Sequence, residues 1–125
     1  MYQVERDETG LVSVTFADTV SPQEVEAAVA DAYHLTMGQS RARLLLRFRD
    51  ARLPGMSVLR DRLSTSPHIR PLIGRVDRAA VVTDQLWVRT VARAQALMFS
   101  RVATRDFPAA REDEARAYLR TPPRA

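Results

Sequence analysis

Two rhythms of apolar and polar residues run along the chain. In residues 11–17, Val12, Val14 and Phe16 alternate with Ser13 and Thr15, the period of a strand with one buried face. Tyr2 to Arg6 can pair with it as a hairpin across Asp7-Glu8-Thr9-Gly10, where Gly10 supplies the unusual backbone angles of a tight turn. From Ser21 the rhythm changes to helical. Val25, Ala28, Val29 and Ala32 recur at three and four, with Ser21 as N-cap, Pro22 as first helical residue, Glu24 as capping-box partner and Gly38 as the stop. "RARLLLRFRD" alternates again: Leu44, Leu46 and Phe48 share one face, while Arg43, Arg47 and Arg49 share the other with Leu45 among them. A short helix is expected over residues 57–65, ended before Pro67. "SPHIRPLIG" reads as irregular or a single helical turn, because Pro71 prevents a long regular helix.

"RAAVVT" is a continuous apolar run, as a central strand requires. Asp84 can cap the helix that follows. On that helix Trp87, Val91, Ala94 and Met98 lie at helical spacing, and Val88, Leu97 and Phe99 widen the apolar face. "RVATRDF" can be the last strand, and "REDEARAYLR" a final helix with acids in its first turn, where they favour the helix dipole. The order β-β-α-β-α-β-α-β-α implies an α/β fold: a mixed sheet of four to five strands, with helices mainly on one face and the other face partly wet. No repeat or linker interrupts it. The expectation is one domain over residues 1–120 and a tail over 121–125.

Composition narrows the function more than it names it. The chain has 125 residues, enough for one domain with its own core. It has no cysteine, which removes disulfides, thiolate nucleophiles and Cys-based zinc sites. No signal-peptide layout opens it, and no apolar run reaches the ~20 residues of a membrane span, so the expected location is cytoplasmic. All 19 basic residues are arginine and the net charge is +4. The arginines are interleaved with acids, as in "EDEARAYLR", which favours codon bias over a clustered nucleic-acid face.

The order of elements, "RAAVVTD" at Arg78 to Asp84 with Trp87 just after it, Phe107 behind the last strand, and "EARAYL" at Glu114 to Leu119 together resemble the SpoIIAA-like proteins, a branch of the STAS fold. Thr83 stands where that pattern usually has glycine, and Tyr118 where it usually has tryptophan. The resemblance spans nearly the whole chain and implies a STAS-like domain that binds rather than transforms. In anti-sigma factor antagonists of that fold, a serine at the start of the helix after the third strand is phosphorylated by a partner kinase. Ser57 falls at about that place, so the resemblance points to Met56, Ser57 and Val58 as a partner or phosphorylation surface. This chain lacks the aspartate and paired serine of that turn. The plainer reading is that Ser57 is a helix N-cap, worth ~1 kcal/mol, and the two readings are compatible.

No catalytic, metal or cofactor pattern emerges. His34 and His68 have no ligand at zinc spacing, the serines lack a nucleophile-elbow context, and the glycines are isolated. Trp87, Val88 and Met98 form a second candidate surface, for an apolar ligand or a homodimer. Arg89 and Arg93 flank it and could meet carboxylates, or be a solvated face. On the wet sheet face, Arg47 or Arg49 paired with Glu5 is the plainer account than RNA binding, since Tyr2 is the only nearby aromatic not on a predicted core face. The reading is a non-enzymatic binding or regulatory domain whose partner is a protein or an apolar small molecule. The alternative is a carrier of a lipid or similar apolar compound.

Overall fold

In a computed structural model, residues 1–98 and 102–120 are described, with side chains through Arg93 and again from Val102. Five strands form one sheet in the order of the chain. β1 (Tyr2–Arg6) runs antiparallel to β2 (Val12–Thr19), and β3 (Ala42–Arg52), β4 (Val76–Thr83) and β5 (Ala103–Phe107) follow in parallel. The hairpin closes as expected, with Gly10 at φ +90° and the Asp7 carboxylate accepting from the Thr9 and Leu11 amides. Each parallel strand is reached through helices, the crossover that parallel pairing demands. These are α1 (Pro22–Leu35), α2 (Met56–Ser64), α3 (Ile69–Arg75) and α4 (Leu86–Met98). A 3-10 turn (Ala109–Arg111) then leads into α5 (Glu112–Arg120).

The capping box of α1 forms in both directions: the Glu24 amide donates to Ser21 Oγ at 3.1 Å and the Ser21 amide to Glu24 Oε1 at 3.0 Å. One core packs Val25, Ala28 and Ala32 of α1 and Leu72 of α3 against Val12, Val14 and Phe16, with Leu44 and Phe48 beside them. α4 joins the same side through Val88 and Ala92 on Val81, Leu46 and Phe48. α5 lies on the opposite face, its Ala115 and Leu119 on Leu45, Ala80, Val82 and Phe107. β4 is therefore buried on both sides, which its unbroken apolar run anticipated.

Several local expectations are corrected. Ser57 does not cap α2. The N-cap is Gly55, and Ser57 is the second helical residue with no side-chain capping bond. Asp84 does not cap α4 either; its Oδ1 accepts from the Ala109 amide at 3.0 Å, because the 3-10 turn lies against it. "IRPLIGR" is a full helix, since Pro71 falls in its first turn, where no intrahelical donor is required. Leu45 is fully buried instead of facing water, because α5 covers the centre of the second face. Arg47 pairs with Glu112 rather than Glu5, through bonds of 2.7 and 3.1 Å. The buried stripe of α4 is Val88 and Ala92, leaving Trp87 at 44% exposure. The side chains of Ala94, Leu97 and Met98, all of Phe99, and the 121–125 tail lie outside the described residues.

Candidate functional site

The C-terminal ends of the parallel strands gather the first turns of α1, α2 and α4 at one edge of the sheet. Open α/β sheets present ligand and partner sites at that edge, because loops and helix starts converge there. The end of β3 is fixed from the side. Gln85 donates to the Ala51 carbonyl and accepts from the Ala51 amide, both at 3.0 Å, as a neighbouring strand would. The Gln85 amide in turn donates to the buried Thr83 hydroxyl at 3.0 Å. Thr83, the departure from glycine in the β4 motif, thus helps hold the loop that links β4 to α4. On the other side, the Val20 amide donates to the Arg52 carbonyl at 2.9 Å, tying the exit of β2 to that of β3.

Two aspartates at this edge have left-handed backbones, Asp18 at φ 57° and Asp50 at φ 48°. Asp18 sits where the β2–β3 register shifts. Asp50 comes just before Ala51, the residue Gln85 clamps. Aspartate tolerates this conformation better than most residues, and both carboxylates are left exposed.

On this scaffold the first predicted surface is exposed throughout. Met56 is 49% and Val58 42% exposed, and Ser57 between them is also open to solvent. Among the described residues α2 has none that is fully buried; it rests on the core through Leu59 and Leu63 and on α1 through Arg62–Glu26 at 3.3 Å. With no acid in its first turn, the N-terminus of α2 keeps its positive end uncompensated.

The second predicted surface divides. Trp87 stays outside, Val88 is only 5% exposed beneath α4 and so belongs to the core, and the Met98 side chain lies outside the described residues. Leu86, which the sequence reading passed over, is 74% exposed beside Trp87. Its signal was present: an apolar residue in the first turn, off the stripe that Val88 and Ala92 define. Arg89 and Arg93 do not face outward in waiting. Both bind Asp106 of β5, at 2.7 Å from Arg89 and 3.1 Å from Arg93. Burial alone would raise the Asp106 carboxyl, but these two guanidinium groups outweigh it and hold the group below the ordinary aspartate range.

Met1 lies at the same edge, since its carbonyl accepts from Ala17 beside the exit of β2. The exposed large apolar side chains among the described residues are Met1, Met37, Met56, Val58, Leu86 and Trp87, so five of the six sit at one end of the sheet. Folding also brings together what sequence spacing kept apart: the His34 and His68 rings lie 5.5 Å apart, with Tyr33 against both. No group of three metal-ligating side chains occurs among the described residues, and no helix there is long and apolar enough to cross a membrane.

Comparison with known proteins adds one finding. A family model described as SpoIIAA-like matches residues 11–120. No curated protein and no solved structure matches the chain.

Proposed function

The chain belongs to the SpoIIAA-like family, whose STAS-fold members are generally regulatory binding modules, and from that membership we propose that it docks a protein partner on the C-terminal edge of its sheet. The observation that carries this reading is the gathering of exposed apolar side chains there, Met56 and Val58 on α2 with Leu86 and Trp87 on α4. Single exposed apolar residues are ordinary; a group of them around one edge, on helix starts held by a side-chain clamp, is what an interface needs.

Ser57 is the regulatory element of this reading. It makes no capping bond, so its hydroxyl is available to a kinase. A phosphate at the second position of α2 would meet the unpaired first-turn amides and the uncompensated helix dipole, and would set a double negative charge between Met56 and Val58. Apolar docking there would be opposed by the cost of desolvating that charge. The compartment this function implies is the cytoplasm.

The test is purification of the tagged chain from its own host, as wild type, Leu86→Ser/Trp87→Ser and Ser57→Asp, with bound species measured by native mass spectrometry. A stoichiometric protein partner on the wild type, lost from the first variant and weakened by Ser57→Asp, supports the reading. A bare chain, or the same partner on all three, refutes it. A stoichiometric lipid in place of a protein would favour the carrier alternative, and a doubled mass would make the partner a second copy of this chain.

A further inference from the structure

The opposite edge of the sheet carries a cavity of about 450 Å³ that none of the docking argument uses. Arg41, Arg43, Arg116 and Arg120 surround it, over Leu11 and Leu119. They come in two pairs. Arg41 immediately precedes β3 and Arg43 is its second residue. Arg116 and Arg120 stand four apart on α5, one above the other on a single helix face. Like charges at that spacing repel, so the convergence raises the energy of the empty site.

Some arginines elsewhere in the fold meet acids: Arg62 meets Glu26, and Arg89 and Arg93 meet Asp106. In the cavity lining, four arginines stand against a single acid. Asp7 is the one acid among its lining residues, and its Oδ1 already accepts from the Thr9 amide and hydroxyl and the Leu11 amide. Arg43 donates to the Leu119 carbonyl and lies 3.6 Å from Asp77. Arg116 reaches Glu112 at 3.3 Å, a carboxylate that Arg47 already engages with two bonds. Arg41 and Arg120 are exposed and have no acidic partner among the described residues. The carbonyls at the end of α5 would repel an anion, but Arg43 covers that of Leu119, and Arg78 covers that of Tyr118 at 3.0 Å.

We propose that this cavity binds a small organic phosphate, its phosphate held between the guanidinium groups of Arg41 and Arg120 and its apolar part resting on Leu11. Guanidinium groups match phosphate oxygens in charge and in paired hydrogen-bond geometry. The volume falls within the range of about 300–1,000 Å³ for small-molecule sites, which suits a metabolite-sized ester. The site lies at the other end of the strands from α2 and α4, so it and the docking surface can fail separately.

The probe is phenyl phosphate, titrated calorimetrically into the full chain at 150 mM salt (a level set to suppress unspecific charge effects). Arg41→Gln/Arg120→Gln removes the two exposed cavity guanidinium groups. Arg60→Gln/Arg70→Gln removes the same charge from exposed positions on α2 and α3, outside the cavity. The expected result is saturable one-to-one binding by the wild type, weakened at least tenfold in the first variant and unchanged in the second, with both variants melting as the wild type does. Absence of saturable binding overturns the proposal. So does equal weakening in the two variants, which would mean net charge alone, or tighter binding of a single-stranded oligonucleotide than of phenyl phosphate, which would mean a polymer surface.

Discussion

Replacing Glu112 with glutamine keeps the side chain's shape and removes the charge that fastens α5 to the sheet. Arg47 donates from Nε to Glu112 Oε1 at 2.7 Å and from Nη2 to Oε2 at 3.1 Å, while its Nη1 reaches Thr15 Oγ1 at 3.2 Å. Glutamine offers one acceptor and one amino group, so one bond is lost and an N–H is turned toward a guanidinium. Hydrogen bonds to charged groups contribute about 1.5–3 kcal/mol. With the two side chains 14% and 28% exposed, water softens that loss. Glu112 also opens α5, where its charge favours the helix dipole by about 0.3–1 kcal/mol. The expected destabilisation is about 2 kcal/mol, or about 8 °C in Tm for a domain of this size.

The same pair fixes a pH dependence. Hydrogen bonding from Arg47 to the charged form outweighs desolvation, and together with the Arg47 charge and Arg116 it holds the Glu112 carboxyl below its ordinary 4.5. A depressed folded-state value means that the stabilisation is complete above the unfolded-state value and is lost as pH falls through the folded one. Urea unfolding followed by circular dichroism should therefore show the full gap between wild type and Glu112→Gln at pH 7. The gap should narrow only as pH drops below 4.5. A gap under about 0.5 kcal/mol at neutral pH, the size of an ordinary surface substitution, or a gap that does not change on acidification, would refute the reasoning.

Other substitutions test the remaining structural claims. Leu45→Ala empties a fully buried site between the sheet and α5 and should cost about 3–5 kcal/mol in the same unfolding assay; a loss under about 1 kcal/mol would mean that α5 does not seal that face. Ser57→Ala should change stability by less than about 0.5 kcal/mol, whereas a true N-cap would cost about 1, so a melting curve separates the two. Gln85→Ala removes both bonds to Ala51 and strands a buried amide, for an expected loss of about 1–3 kcal/mol. Hydrogen exchange at Ala51 should accelerate with it, and unchanged exchange would show that the clamp does not hold the edge.

The sequence by itself determined most elements of this protein, α3 excepted. Alternation at Val12, Val14 and Phe16, the capping box at Ser21 and Glu24, and the apolar run at Ala79 to Val82 are local, and strand and helix periods can be read without knowing what lies opposite. The family resemblance was legible for the same reason, since its motifs are short runs within single elements. Side-chain partners were not legible. Arg47 finds Glu112 rather than Glu5 because α5 returns across the second face, 65 positions along the chain. Leu45 became core by the same event. Ser57 lost its capping role because the helix starts two residues earlier, with Gly55 as the N-cap. Trp87 and Val88 are neighbours in sequence, yet a step of about 100° around a helix puts one in solvent and the other on Val81. The arginine cavity is built from a strand start and a helix end more than seventy residues apart. Local pattern sets which residues share a face; only the packing of one element on another decides what that face meets.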